Sequence, residues 1–239
     1  MNYQKSNAYS IRSMFSSIAQ EYDRANAILS FNLHKLWNRR LVSLTSFKSR
    51  KVQVLLDLCA GTGEITRAWL QQTKSPLQAY LLDFCPEMLN LAENKLSISS
   101  KEQHKFNFIH ANAENIPLSD DFVDAITVAY GVRNVHNLDQ CFQESFRVLK
   151  PEGCLGILEL TSPENRFLKM LHQFYLKVIL PRMGGLVTKN KKAYEYLCHS
   201  IQEFVKPCQI KEKLLKAGFN NVTIHPQWFG TATIIIAKK

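Results

Sequence analysis

Short apolar runs alternate with helical periodicity along most of the chain. Residues 10–22 place Ile11, Met14, Phe15, Ile18, Ala19 and Tyr22 at helical spacing, and residues 32–45 repeat the pattern with Leu33, Leu36, Trp37, Leu41 and Leu44. From residue 52 the texture changes. Apolar runs over 52–58, 79–84, 106–110, 123–130 and 154–160 have the composition of buried parallel strands. Helical segments over about 64–72, 86–97 and 137–149 separate them. This alternation predicts an α/β fold, a parallel sheet with helices on both faces. After Pro163 the pattern is helical over about 164–180, 190–204 and 209–217, and two strands follow at 222–225 and 231–237. The last run, Thr231–Ala237, has the composition of a strand inside the sheet. No linker rich in Gly, Pro or Ser divides the chain. It therefore reads as an N-terminal helical cap (1–50) joined to a domain (51–239) with a helical insert at about 164–204.

Charge sharpens this division. The net charge of the 239 residues is +10. Residues 1–50 carry eight Lys/Arg against two Asp/Glu, residues 51–165 nine against fifteen, and residues 166–216 eleven against three. Two basic segments thus flank an acidic one, and a basic surface attracts polyanions, whether nucleic acid or an anionic membrane face. No run of about 18 apolar residues exists to cross a bilayer. The first twenty residues lack the apolar core of a secretory signal. Six cysteines without a C-x-x-C pair argue against a zinc site or a secreted disulfide framework, so a cytoplasmic location is expected and no metal site.

Candidate chemistry gathers at the strand ends. Asp57-Leu-Cys-Ala-Gly-Thr-Gly-Glu64 lies between the first strand and the next helix, where Gly61 and Gly63 allow close backbone approach to a ligand. A dinucleotide fingerprint wants a third glycine where Thr66 stands, which disfavours NAD. Asp83 ends the second strand, placed to accept ribose hydroxyls. Asn112 and Ala113 follow the third, placed to frame an adenine. Taken alone, each also has a plain structural explanation as a turn or cap residue. Together they occupy the edge where open α/β sheets bind ligands.

This order resembles the class I methyltransferases that use S-adenosylmethionine, whose Rossmann-like, seven-stranded, mostly parallel sheet has an antiparallel last strand. Phe15-Ser-Ser-Ile-Ala-Gln-Glu-Tyr-Asp23, Leu29-Ser-Phe-Asn-Leu-His-Lys-Leu-Trp37, Gly131-Val-Arg-Asn-Val135, Arg147-Val-Leu-Lys-Pro151 and Tyr194-Glu-Tyr-Leu197 are similar to the UbiE/MenG family, the C-methyltransferases of ubiquinone and menaquinone biosynthesis. The resemblance covers about residues 10–237. It implies that Gly61, Thr62 and Gly63 face the methionine end of S-adenosylmethionine, that Asp83 holds the ribose, and that Asn112 and Ala113 border the adenine. Ala129 stands where the family often has Ser and is expected only as a backbone neighbour.

The implied reaction is C-methylation of a polyprenylated quinol, demethylmenaquinol or a 2-polyprenyl-6-methoxy-1,4-benzoquinol. A ring carbon becomes a good nucleophile once the neighbouring hydroxyl loses its proton, so the site needs a phenolate stabiliser and a proton route. Arg133 is the expected stabiliser, Asn134 the positioning group and Tyr22 a lid or relay, while His34 and His136 have the right chemistry for a base. The implied substrate resides in a membrane, so the basic flanks, with Lys189, Lys191 and Lys192 prominent, are expected to meet an anionic membrane surface peripherally. A homodimer is compatible with the sequence. Three alternatives remain open: an RNA or DNA methyltransferase, a different small-molecule methyltransferase, and a non-catalytic membrane-associated partner. Ala129-Tyr-Gly-Val-Arg133 lacks the Pro-Pro-aromatic motif of enzymes that methylate exocyclic nucleobase amines, which disfavours that subset but not ribose or base-carbon chemistry; the quinol, not nucleic acid, is the expected partner.

Overall fold

The computed structural model describes residues 8–48, 52–99, 103–182 and 191–239. Three helices come first: α1 (Ala8–Ile18), α2 (Tyr22–Leu29) and α3 (Leu33–Lys48). An alternating stretch follows, with β1 (Val54–Leu58), α4 (Glu64–Gln72), β2 (Gln78–Asp83), α5 (Pro86–Ser99), β3 (Lys105–His110), β4 (Val123–Ala129), α6 (Leu138–Val148) and β5 (Leu149–Leu160). The chain ends with α7 (Arg166–Phe174), α8 (Lys191–Glu203), α9 (Pro207–Lys216), β6 (Asn220–Gln227) and β7 (Ala232–Lys238).

The seven strands form one sheet in the order β3-β2-β1-β4-β5-β7-β6. β1 to β5 pair in parallel, and β7 runs antiparallel between β5 and β6, with Leu158 opposite Ile234. The expected mostly parallel sheet with a reversed last strand is therefore present. Connections run outward from β1 to β3 and then return across β1 to β4. The loops after β1 and β4 diverge at this reversal, which opens a crevice at the strand C-termini.

Each sheet face buries a separate core. One face packs Leu56, Leu58, Ile126, Val128 and Ile157 against Phe142 of α6 and Leu214 of α9. The other packs Leu55, Leu81, Leu158 and Ile234 against Trp37, Leu41 and Val42 of α3 and Trp69 of α4. Within the expected N-terminal cap, α3 thus lies directly on the sheet. α1 and α2 instead join the insert. Ile18, Ala25 and Leu29 form a small third core with Leu176, Leu180, Tyr194, Cys198 and Ile201, roofing the C-terminal edge of the sheet.

Several boundaries differ from the sequence pattern. The helix expected over 10–22 ends at Ile18, and Tyr22 opens a second one. This break lets Ile18 and Ala19 on one side and Ala25 and Leu29 on the other all reach buried surroundings. The helical run expected over 164–180 is α-helical from Arg166 to Phe174, passes through a π-helical turn, Tyr175–Ile179, and is α-helical again from Leu180. β5 begins five residues earlier than the run at 154–160 suggests, because Leu149 pairs with Val123 before an irregularity in the ladder. Lys189 lies outside the described residues, as do the side chains of Lys191 and Lys192. Among the described residues all six cysteines are free thiols, and no helix is long and apolar enough to cross a membrane.

Candidate functional site

After β1 the chain turns through Cys59, Gly61 and Gly63, with φ of 55°, 53° and 77°. Glycine enters this left-handed region without steric cost. A Cβ built on Gly61 meets no atom within 4 Å, so the turn has an open outer side. β2 fixes its shape: Asp83 Oδ2 accepts a hydrogen bond from Gly61 N (2.8 Å) and Oδ1 accepts one from Cys85 N (2.9 Å). Burial pushes the Asp83 carboxyl up, against the pull of those backbone donors. Each oxygen retains a further lone pair for a ligand hydroxyl. Ala111 N donates to Asp83 O (3.1 Å), which brings Asn112 and Ala113 to the adjacent strand end. Gly61, Asp83 and Asn112 therefore stand in a row on three neighbouring strands, a span of about 10 Å, the reach of an extended nucleoside. Asn112 Oδ1 accepts from Glu114 N (3.1 Å), and Ala113 is buried.

Beneath the turn sits Asp57. Its Oδ2 accepts from Thr66 N (2.9 Å) and Thr66 Oγ1 (2.7 Å), while Oδ1 is buried with no hydrogen-bond partner. Burial pushes this carboxyl up to about 7, opposed by the Thr66 donors. A cavity of about 60 Å³ opens beside the turn, walled in part by Asp23, Asn38, Gly61, Thr62, Glu64 and Ala129. Thr62 Oγ1 donates to Asp23 Oδ1 (2.6 Å), and Lys95 of α5 pairs with Asp23, so α2 is tied down over the turn. The acidic lining, with Asp57 and Asp83 adjoining, suits a cationic ligand.

A larger cavity, about 320 Å³, lies under the helical roof and is lined chiefly by apolar side chains from α2, α3, α7, α8 and the turn at Trp228–Phe229. That volume lies in the range of small-molecule sites. Tyr22, Asn26, His34 and Tyr130 belong to the walls of both cavities. These four side chains form the wall that the two cavities share.

Arg133 faces the larger cavity and is buried. Its Nη1 donates to Glu159 Oε1 (2.5 Å) and to Tyr130 O (2.6 Å), and its backbone N donates to Glu159 Oε2 (3.2 Å). Its Nε is buried without a hydrogen-bond partner. Burial works against the guanidinium charge, but the Glu159 carboxylate together with the Tyr22 and Tyr196 phenols outweighs it and holds Arg133 ionised. Tyr22 borders both cavities; burial pushes its phenol up while Arg133 pulls it down. His34 Nδ1 shares a hydrogen bond with Ser30 Oγ (2.6 Å), and burial, helped by Lys35, pushes the imidazole down, keeping it neutral at pH 7. His172 also lines the larger cavity with a buried, unpartnered Nδ1.

The expected positions are not all brought together. Gly61, Thr62 and Ala129 wall the smaller cavity, and Tyr22 and Arg133 wall the larger. Asn134 accepts from Tyr196 Oη (2.8 Å) and lies in neither wall, and exposed His136 donates its backbone N–H to Glu114 Oε1 (3.0 Å). Glu159, Tyr130 and His172 went unremarked in the sequence. Glu159 did carry a signal, since it is a charged residue inside the apolar run 154–160, and a buried charge needs a partner. Among the described residues no cluster of His, Cys, Asp and Glu could hold a metal ion.

Comparison with known proteins places these features in context. The profile of the ubiE/COQ5 methyltransferase family matches residues 2–239. A demethylmenaquinone methyltransferase of Protochlamydia amoebophila is 47% identical over 237 residues, covering 99% of this chain and 98% of the relative. A ubiquinone/menaquinone biosynthesis C-methyltransferase UbiE of Geotalea daltonii is 36% identical over 229 residues, 96% of each. Among solved structures, a SAM-dependent methyltransferase of Aquifex aeolicus superimposes with a TM-score of 0.58 at 18% identity, over 82% of this chain and 87% of that one. That likeness speaks for the fold alone.

Proposed function

The chain belongs to the ubiE/COQ5 methyltransferase family and is an S-adenosylmethionine-dependent methyltransferase, and from that premise we propose that it methylates a ring carbon of demethylmenaquinol. The observation that carries this reading is the shared partition. An apolar cavity large enough for a quinol head meets the glycine-turn cavity at Tyr22, Asn26, His34 and Tyr130.

The residues around the turn fit S-adenosylmethionine. Gly61 leaves room for it, Asp83 and Asn112 are in line for its nucleoside, and the acidic lining at Asp23 and Glu64 suits its cationic methionine end. When bound, it supplies a methyl group already activated on a sulfonium. The protein's contribution is then alignment and electrostatics. Arg133, aimed by Glu159 and Tyr130 O, holds its guanidinium charge at the wall of the larger cavity, where it stabilises the quinol oxygen as that oxygen becomes a phenolate. His34, neutral and backed by Ser30, takes the hydroxyl proton. Tyr22 closes the partition and keeps water from the reacting carbon. Asn134 acts behind Arg133, anchoring α8 through Tyr196.

The substrate's polyprenyl tail resides in a bilayer, so this reading includes a peripheral encounter with an anionic membrane face. A side-by-side turnover assay tests it. Labelled S-adenosylmethionine is offered with chemically reduced demethylmenaquinol, a polyprenyl benzoquinol or bulk RNA. Label in a ring methyl of the naphthoquinol is the expected result; label in RNA alone would overturn the reading.

A further inference from the structure

α7 is amphipathic on the wrong side for a helix that only roofs a cavity. Leu168, Leu171, His172 and Tyr175 line the larger cavity. Phe167, Met170, Leu171 and Phe174 recur at i, i+3, i+4 and i+7 and are about half exposed or more, and the helix contains no buried residue. A soluble surface helix normally shows charge on that face. Two further apolar groups border the same cavity while pointing largely to solvent. Phe31 follows α2 with φ of 50°, and Trp228 and Phe229 form a turn with φ of 41° and 57°, their rings edge to face at 6.0 Å. All three are more than half exposed. The mouth of the cavity is thus rimmed by large apolar side chains from three separate elements. Exposed apolar surface of this kind marks an interaction site.

The charges beside the rim indicate its partner. Arg166 and Lys169 on α7, Lys177 on the turn after it, and Lys35 on α3 are all exposed, and none makes an ion pair among the described residues. Aromatic and aliphatic side chains flanked by cations complement an anionic lipid surface, where apolar groups enter the acyl boundary and ammonium or guanidinium groups meet phosphates. A protein partner would have to cover an apolar opening that leads to a cavity. A bilayer would continue that cavity into hydrocarbon.

We propose that the outer face of α7, Phe31 and the Trp228–Phe229 turn form a bilayer-docking edge. It seats the cavity mouth on anionic phospholipid, so that a tailed quinol passes from the membrane into the site without crossing water. The docking surface stands on its own geometry, while its purpose rests on the quinol reading above.

Trp228 provides a built-in reporter, since it is 58% exposed whereas Trp37 and Trp69 are 8% and 3% exposed. The full chain is mixed with vesicles of phosphatidylcholine alone or with added phosphatidylglycerol, some carrying brominated acyl chains. Co-sedimentation with the anionic vesicles, a blue shift of tryptophan emission and quenching by the brominated lipid are expected. Phe167→Glu/Phe174→Glu alters two exposed side chains outside the cavity wall. It should weaken vesicle affinity about 100-fold or more while leaving turnover of a short-tailed, water-soluble quinol unchanged. Absence of vesicle binding, binding without quenching, or unaltered binding by the double variant would overturn the proposal. So would a self-associated wild type whose dimer the double variant disrupts, because the face would then belong to a second copy. If vesicles bind but no quinol is methylated, the docking edge stands and the quinol reading fails. If the soluble quinol is methylated but vesicles are ignored, only the docking edge fails.

Discussion

Arg133 and Glu159 meet in a buried ion pair, Nη1 to Oε1 2.5 Å apart, with side chains 4% and 1% exposed. Glu159 also accepts from the backbone N–H groups of Arg133 and Leu160, so the carboxylate sits in a fixed socket at the end of β5. A buried pair of this kind adds little net stability, but loss of one partner leaves a stranded charge. In the proposed reaction its value lies in holding a cation at the wall of the larger cavity.

Removal of either partner should separate catalysis from cofactor binding. Arg133→Ala is expected to lower kcat by at least about 100-fold and to leave S-adenosylhomocysteine affinity largely intact, because Arg133 lies outside the wall of the smaller cavity. Glu159→Gln is expected to cost about 3–5 kcal/mol of stability and to lower kcat as well. Arg133→Lys keeps the charge but loses the planar fork, and it should not restore the rate. Calorimetry and steady-state kinetics on the three variants check this. A near-normal rate in Arg133→Ala would remove Arg133 from the chemistry.

The pH profile should report His34. Burial holds its imidazole below the ordinary value of 6.5, so the neutral, proton-accepting form persists at pH 7 and is lost only further into acid. An acid limb in kcat below pH 6.5 is expected. His34→Gln should remove that limb and lower kcat by about 100- to 10,000-fold. Ser30→Ala, which takes away the Nδ1 partner, should shift the limb. An unchanged profile in His34→Gln would assign the proton to another group.

Asp57 gives the cofactor-free protein a characteristic stability curve. Its carboxyl is held up to about 7 in the fold, against an ordinary value of 3.8. Between these values the folded chain retains a proton that the unfolded chain releases. The contribution is therefore complete below the lower value and is lost as pH rises through the upper one. Subtracting the Asp57→Asn curve from that of the wild type in denaturant titrations should reveal a decline across this window. Saturating S-adenosylmethionine, which brings positive charge to the cavity, should flatten that decline.

Gly131 is where the loops after β1 and β4 touch. A Cβ there would stand 2.4 Å from Cys59 Cβ, a contact that side chains do not make. Gly131→Ala should cost about 1–3 kcal/mol and disturb the partition at Tyr130, seen as a lower Tm together with a raised KM for both substrates. A Tm equal to that of the wild type would show that the two loops tolerate separation.

The inner part of the sheet was legible because β1, β2, β4, β5 and β7 are largely buried and so appear as apolar runs, and α4 matches its expected span because Gly63 and Thr73 bound it. The glycine turn and Asp83 were legible because parallel strands place ligands at their C-terminal ends. The larger cavity was not. Tyr22, His34, Tyr130 with Arg133, His172 and Trp228 come from five separate places in the chain, and only the packing of α1 and α2 against the insert brings them together. Asn134 shows the opposite failure. Its neighbour faces the cavity, yet the short 3₁₀ turn Val132–Asn134 rotates its amide away toward Tyr196.

The central claim is that two ligands meet across one partition. The most direct measurement is a crystal structure of the full chain with S-adenosylhomocysteine and a short-tailed demethylnaphthoquinol. The account predicts the sulfur beside Gly61 and Ala129, with the unmethylated ring carbon facing it in a gap bordered by Tyr22 and His34 at about 3–3.5 Å plus the length of the missing methyl bond, and the phenolic oxygen beside the Arg133 guanidinium. A naphthoquinol bound elsewhere, or a sulfur walled off from the larger cavity, would contradict it.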